Sequence, residues 1–513
     1  MPTSPARLHL LQVLLITAPA FILYGYNQAG LSALLNLSVV ARRFPAIDTV
    51  FTTGSQEETN STRKGAINAC FQLGALLGSL SCSYLGDSWG RRRTILLAAS
   101  LALVGQVLQA SAFALAQFVV GRVILGLGVG QLSVMSPVWQ SESSHAGNRG
   151  RQVITSGIFI CVGFALTSWI NFGCSKAPYG PLQWRLPLAL PTIFSLVIVA
   201  SVMTFPESPR WLVLRRRNHD AAQALATLNG LACDDPLVLR EIEEIGRSLE
   251  GTRNTSGRTL PSLKNDPSRL WWRFTLCMLL QFFQQTCGGN LISIYTTQIF
   301  EQNLGLSGDL PQILAAASLT WKLACSFIAF AAIDRLGRRV LFTISGTGMT
   351  ICMVVMAVAT SFPTTNKPAS IVAATFIFIF NLCYPIGFLG GNFLYCTEIA
   401  PSHLRAAMSS VSTANHWLWN FVVTMITPLA LSTIGWKFYI VFASISACVP
   451  LVVHFLFPET MGRSLEGIDQ VFREAPTVLA IVPMAKGLPR GDVIPTFVEH
   501  HEKDGNQEHR EWA

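Results

Sequence analysis

Half of the 513 residues are hydrophobic and only 13% are charged, with a mean hydropathy of +0.43 and a formal net charge of +9. A water-soluble domain of this size could not cover its surface with so few polar residues, so a soluble enzyme or binding module is excluded and an integral membrane protein is implied. The cations are split among short loops beside apolar stretches instead of forming one basic patch, which argues against a nucleic-acid partner and for the lipid bilayer as the surrounding medium.

Apolar runs long enough to cross a ~30 Å hydrocarbon core as helix fall at 10–31, 66–86, 94–114, 116–137, 152–172, 186–206, 274–300, 311–333, 340–361, 370–396, 407–433 and 436–457. The predicted fold is therefore an all-α membrane protein with twelve transmembrane helices. Ala18-Pro19-Ala20 resembles a leader cleavage site, but the charge before it is only Arg7 and apolar residues continue beyond it. The first run thus reads as a retained helix. With both termini cytoplasmic, most Lys and Arg fall in inner segments, including the short basic loops at 87–93, 141–151 and 334–339, as the positive-inside rule requires.

The apolar pattern divides the chain into a first six-helix domain at 1–206, a cytoplasmic linker at 207–272, a second six-helix domain at 273–460 and a tail at 461–513. Short amphipathic helices are expected in the linker around 219–230 and 236–249, and the tail is expected to be disordered after about 475, where periodicity is lost. Of the twelve cysteines, Cys174 falls in an outer loop and Cys233 in the linker, so neither a disulfide framework nor a metal site is expected, and no cofactor motif occurs. Asn60-Ser61-Thr62 lies between the first two helices on the predicted outer side and is the candidate glycosylation sequon.

The two halves repeat one another about 250 residues apart. Asp87 to Arg92 (D-x-x-G-R-R) returns as Asp334 to Arg339, Glu142 with Arg149 seven residues on returns as Glu398 with Arg405, and Pro206-Glu207 returns as Pro458-Glu459. Charges closing successive apolar stretches in matched order are what two parallel repeats of a transporter leave in sequence. Asp87, Arg91, Arg92, Glu142, Arg149, Asp334, Arg338, Glu398 and Arg405 all fall at predicted inner helix ends. They are expected to form gate pairs across the halves when the inner side is shut. Gly126, Gly128 and Gly130 lie in a span with no preceding strand, so they read as close helix packing and not as a nucleotide loop.

With the motifs in place, the chain resembles the sugar porters of the major facilitator superfamily from its first helix through Glu466. The matching strings are GYN at 25–27, DSWGRRR at 87–93, GRVILGLGVG at 121–130, PESPRWL at 206–212, QQTCGGN at 284–290, DRLGRR at 334–339, TEIAPSHLR at 397–405 and PETMGRSLE at 458–466. HWLWNF at 416–421 and IGWKFYIVF at 434–442 bring it nearest to fungal sugar and quinate-type permeases. The resemblance implies alternating access between two six-helix domains, with Gln284, Gln285, Asn290, Trp417 and Asn420 at the family's binding positions.

Depth selects the same region independently. Gln284, Lys322 and His416 each lie eleven or twelve residues from the inner end of their helix, which at 1.5 Å per residue is ~16–18 Å, close to the bilayer midplane. Polar groups at that depth are costly unless they face a cavity. Gln284, Gln285, Asn290, Lys322, His416, Trp417 and Asn420, with Asn27 on the first helix, are therefore the candidate solute-binding set. Amides can serve hydroxyls as both donor and acceptor, and a Trp face can stack on an apolar sugar face.

Four positions depart from the hexose-carrier pattern: Gly157 for a glutamine, Phe393 for a tryptophan, Ile294 for a tyrosine and Lys322 for an asparagine. A lysine at mid-depth would favour a carboxylate, so an acidic polyol such as quinate stands beside a neutral monosaccharide as cargo. Proton-coupled relatives carry an aspartate where this chain has Asn27, and all 28 Asp and Glu fall in loops, the tail or helix ends. Downhill facilitation follows, with His416 the one midplane group whose ordinary pKa lies near neutrality. The expectation is a transporter of a small polyhydroxylated solute, monomeric, without enzymatic activity, in the plasma membrane. Export of a secondary metabolite and nutrient sensing are the other readings of the same fold.

Overall fold

The computed structural model describes residues 5–143, 149–178, 180–243, 245–246, 269–401, 404–463 and 465–487, and these are almost entirely helical. Among the described residues, twelve long helical stretches run back and forth. The first, α1, passes through Pro5–Gln12, a π-helical turn at Val13–Thr17 and Ala18–Leu34. There follow α2 (Ser55–Trp89), α3 (Arg91–Ala110), α4 (Leu115–Glu142), α5 (Arg149–Ser175) and α6, which is broken into Gly180–Ala189 and Thr192–Ser201. The second set is α7 (Leu270–Thr286 and Gly289–Gln298), α8 (Leu310–Leu336), α9 (Arg338–Ser361), α10 (Lys367–Phe388 and Gly391–Ile399), α11 (Arg405–Thr433) and α12 (Lys437–Leu456).

Among the described residues, ten helical stretches are long and apolar enough to cross a membrane. The two crossings outside that set have local reasons. The first piece of α7 is only 17 residues long, and α11 carries Asn415, His416 and Asn420 along its middle. Large apolar side chains such as Phe327, Ile351 and Phe455 are more than half exposed on the outer surface of the bundle, where lipid takes the place of a protein neighbour. Thirty-five residues make α2 ~50 Å long. It overhangs a ~30 Å core at the end away from the D-x-x-G-R-R motifs.

Besides α6, two runs expected as single helices are broken at glycines. Gly288 (φ +90°) parts α7 and Gly390 (φ +99°) parts α10, both in backbone conformations that suit glycine. Within the first half, Gly126 and Gly130 let α4 lie directly on α2. A methyl group at either would sit 2.2 Å from the Phe71 carbonyl or 2.1 Å from that of Ala75. Small residues permit this approach, as the glycine spacing predicts.

In the linker, Pro209–Leu214 is capped by Ser208, whose hydroxyl accepts from the Trp211 N–H, and Asn218–Asn229 stops at Gly230 in the left-handed conformation. The second expected linker helix is present from 236 to 243, and most of its remaining stretch lies outside the described residues. The expectation for the tail needs correction. Beyond the helix Leu465–Glu474 and past 475, Ile481–Gly487 is helical and its Ile481, Val482 and Ala485 are buried against the bundle, while 488–513 lies outside the described residues. A seven-residue helix is too short to show periodicity, but its three apolar side chains suffice to dock it.

The junction between α2 and α3 turns on Gly90 (φ +92°, ψ 169°), where a Cβ would meet a Glu207 carboxylate oxygen at 2.7 Å and the Trp211 ring at 3.2 Å. Gly54 (φ +68°, ψ −142°) occupies a similar backbone region with nothing within 4 Å. Gly90→Ala should therefore lower the thermal midpoint of the detergent-solubilised protein clearly more than Gly54→Ala. Each carries a backbone cost of about 1–3 kcal/mol, and only the first adds the clash; equal shifts would show that the Glu207 contact is dispensable.

Candidate functional site

The break in α7 organises the centre. Gln281, Gln284 and Gln285 occupy one face of its first piece, and Asn290 opens the second piece two residues after Gly288. On α11, His416, Asn420 and Thr424 recur every four residues and so share a face, with Trp417 beside them. All of these side chains are buried.

His416 is the hub. Its Nδ1 lies 2.7 Å from Gln284 Oε1 and its Nε2 lies 2.6 Å from the Tyr24 hydroxyl, with Gln285 Nε2 within 3.0 Å. A proton on Nδ1 lets the ring donate to Gln284 and accept from Tyr24, while the Gln285 amide nitrogen lies 2.7 Å from Nδ1 and 3.0 Å from Nε2. Asn392 on α10 donates to Gln281 (2.9 Å) and Gln284 (2.6 Å), and Gln284 donates to the Phe388 carbonyl at the break in α10 (3.1 Å). Asn290 takes a bond from Gln28 (2.9 Å) and donates to Gln285. Trp417 packs against Tyr24 (4.8 Å between ring centroids) and edge-on to Phe71 (5.7 Å), and its indole N–H reaches Ser133 Oγ at 3.3 Å. Tyr24, Gln28, Phe71 and Ser133 come from the first six helices, so the cluster is shared between the halves. Gln28 Oε1, Asn392 Oδ1 and Asn420 Nδ2 are buried around it with no hydrogen-bond partner.

The structure thus brings Gln284, Gln285, Asn290, His416 and Trp417 together. Asn420 sits one turn further along α11, accepting from Thr424 (3.2 Å), which in turn accepts from Gln72 (3.3 Å). Asn27 is not in the cluster: its amide bonds back to the Leu23 carbonyl (2.9 Å). Arg122 approaches the Asn27 backbone carbonyl (3.5 Å), the Asn68 carbonyl (3.3 Å) and the Phe71 ring (4.8 Å), and these partners are carbonyls and a ring face, not a carboxylate. Lys322 lies to one side, donating to Ser293 (2.6 Å) with the Tyr384 and Phe164 rings 4.5 and 5.0 Å away. Two departures from the hexose-carrier pattern have geometric accounts. Phe393 packs on the His416 ring at 5.5 Å. Gly157 lies where α5 meets the break in α10, and a Cβ there would be 2.7 Å from the Leu389 carbonyl, leaving no room for a glutamine.

Tyr24, Gln28, Gln281, Ser133 and Asn392 were not singled out in the sequence. Gln281 had a signal, since it precedes Gln284 and Gln285 by three and four residues and must share their face. Tyr24 had none, because an aromatic in an apolar run reads as core.

Away from the motif end, bonds between the halves continue. Asn68 donates to the Tyr295 hydroxyl (3.2 Å), Trp169 to Thr320 (2.9 Å) and Ser175 to Gln312 (3.2 Å), while Lys176 pairs with Asp309. Above Asn68 and Tyr295 lies a vestibule of about 300 Å³ that includes Asn36, Thr49 and Lys64. Asn60, the sequon residue, is inside α2 and buried, with its amide nitrogen donated to the Asp48 carbonyl (2.8 Å). The nitrogen a glycan would occupy is already committed, which contradicts the exposed loop expected there.

At the motif end, Arg91 and Arg338 each pair with acids of their own half. Arg91 forks onto Glu142 (2.9 and 3.1 Å) and reaches Asp87 (3.1 Å); Arg338 forks onto Glu398 (2.8 and 3.2 Å). Arg92 turns to the Met203 carbonyl. The side chains of Arg149, Asp334 and Arg405 lie outside the described residues. Glu207 accepts the backbone N–H groups of Arg91, Arg92 and Ser208, and Glu459 does the same for Arg338, Arg339, Thr460 and Met461. Each carboxylate caps a helix N-terminus, where the backbone presents unsatisfied donors. Burial pushes the Glu207 carboxyl up, and the N–H groups of Ser208, Arg92 and Arg91 pull it down.

Comparison with known proteins agrees with this arrangement. The profile of the sugar (and other) transporter family matches residues 13–472. The MFS-type transporter oryC of Aspergillus oryzae is 34% identical over 89% of this chain and 84% of its own length, and the sugar transporter STL1 of Saccharomyces cerevisiae is 32% identical over 89% and 80%. The proton:xylose symporter XylE bound to 6-bromo-6-deoxy-D-glucose superposes with a TM-score of 0.76 at 24% identity, covering 90% of this chain and 98% of that one, which shows the fold. The chain is a multi-pass integral membrane protein of the major facilitator fold and belongs to the sugar (and other) transporter family.

Proposed function

We propose that this protein carries a small polyhydroxylated, monosaccharide-like solute across the membrane by alternating access between 1–206 and 273–460, which the 207–272 linker joins. One observation carries this reading: the midplane network is built from amides, hydroxyls and a tryptophan contributed by both halves. Gln28–Asn290, Tyr24–His416 and Ser133–Trp417 each bridge the halves through a group that can exchange its protein partner for a solute hydroxyl. Relatives named as a sugar transporter and a xylose symporter support the same solute class. Gln284, Gln285, Asn290, His416, Trp417 and Asn420 are the binding residues in this proposal. The motif end faces the cytoplasm by the distribution of cations, both termini lie inside, the membrane is the plasma membrane and the carrier acts as a monomer.

Transport is downhill. Arg122 meets carbonyl and amide oxygens of Asn27 and Asn68 where a proton-binding carboxylate would otherwise sit. In cells lacking their own carriers, uptake of a radiolabelled sugar or polyol should saturate and survive a protonophore. Uptake abolished by the protonophore would overturn the facilitated mechanism, and saturable uptake of no polyhydroxylated solute would overturn the solute class. Asn27→Asp, placing a carboxylate beside Arg122, should make uptake depend on external pH where the parent does not.

The bond between Tyr24 and His416 should register energetically as well. In a double-mutant cycle of Tyr24→Phe and His416→Gln, measured on thermal stability, the coupling should be about 0.5–1.5 kcal/mol; additive effects would mean that the bridge is not held.

A further inference from the structure

We propose that Lys322 anchors a carboxylate on the transported solute, so that the cargo is an acidic polyol and not a neutral sugar. The inference rests on the transport reading above and narrows its substrate class.

Lys322 lies midway along α8 and has no solvent exposure. A lysine ammonium has three N–H donors. One is used on Ser293, and the Tyr384 and Phe164 rings flank the rest at 4.5 and 5.0 Å. Ring faces attract a cation without neutralising it. None of the ion pairs among the described residues involves Lys322; those pairs engage acids at helix ends, in loops and in the tail. A cation held in the middle of a membrane protein without an acidic partner is expensive to keep and marks a solute or ion path.

The surroundings point the same way. Ser293 is also part of the wall of a cleft between α1, α5, α7 and α8, to which both halves contribute. Leu319, one turn before Lys322, lines it, as do Ser168, Asn171 and Gln312. The side-chain oxygen of Asn171 is buried there with no partner. Through Ser293 the ammonium adjoins the hydroxyl and amide groups of that cleft, whose volume in this conformation is about 30 Å³. When a carboxylate arrives, two of the three N–H groups are free to turn from the rings to its oxygens, forming charge-assisted bonds that a hydroxyl could not match.

The test compares two solutes that share a ring and differ at one carbon, D-glucuronate and D-glucose, with the full chain reconstituted in liposomes. Uptake by the parent should favour glucuronate by about tenfold or more in KM, the discrimination expected when a site loses one charge-assisted partner. Glucuronate should also drive a transport current of the sign of a moving anion, while glucose drives none. Lys322→Asn should shift the ratio of the two KM values toward glucose by about tenfold, and Lys322→Arg should keep the parent's preference and its current. If Lys322→Asn does not fold, the parent's preference and current decide alone. A parent that carries glucose without current, and glucuronate no better, overturns the anion anchor while leaving sugar transport standing. A parent that carries neither these two nor any other polyhydroxylated solute overturns both readings.

Discussion

Inside a bilayer a polar side chain has no water to fall back on, and that constraint explains more of this molecule than any single contact. An unpartnered amide in hydrocarbon costs several kcal/mol. The polar residues of α7 and α11 have therefore gathered around His416, where donors and acceptors from both halves complete one another. The same constraint makes the cluster suited to transport. Its members are satisfied by each other when no solute is present, so a solute offering hydroxyls in equivalent places exchanges one set of bonds for another with a small net difference. Buried atoms still without partners, such as Asn420 Nδ2 and Gln28 Oε1, leave room for a net gain.

Where described, the charge motifs bind their own half together. Arg91 with Glu142 ties α3 to α4, and Arg338 with Glu398 ties α9 to α10, while Glu207 and Glu459 cap α3 and α9. The twofold repeat holds down to these hydrogen bonds, with Ser208 donating to Glu142 and Thr460 to Glu398, each at 2.6 Å. Such forks stiffen a half-domain. Together with the backbone contact between α2 and α4, they favour movement of each half as a unit, leaving the mid-depth and vestibule-side bonds as the contacts that must be exchanged.

Helix number and order were legible because they rest on long-range averages, apolar run length and charge placement, and the depth of the polar cluster follows from the known rise of a helix. Of the three residues counted to mid-depth, Gln284 and His416 meet and Lys322 lies to one side on Ser293. What escaped depends on three-dimensional pairing. Tyr24 becomes polar in effect only because His416 lies opposite, and Asn27 leaves the cluster because a carbonyl four residues earlier on its own helix is nearer. Asn60 looked exposed because the hydrocarbon thickness, and not the helix, set its expected end; α2 simply continues past it. The direction of the charge pairs could not be read either, since a motif at a helix end is compatible with a partner in the same half or the other.

The two tail helices give the moving centre an address outside the membrane. Arg273, near the start of α7, bonds the Ile399 carbonyl at the end of α10, pairs with Asp469 and lies 4.3 Å from the Phe472 ring, while Arg269 reaches the Ala475 carbonyl. The broken helix that carries the glutamines is thus strapped at its base to residues 469–475. A fluorophore attached near Gly487 would sit one short strap from that helix, making the tail a natural place to listen to the transport cycle in a living cell without touching the solute path.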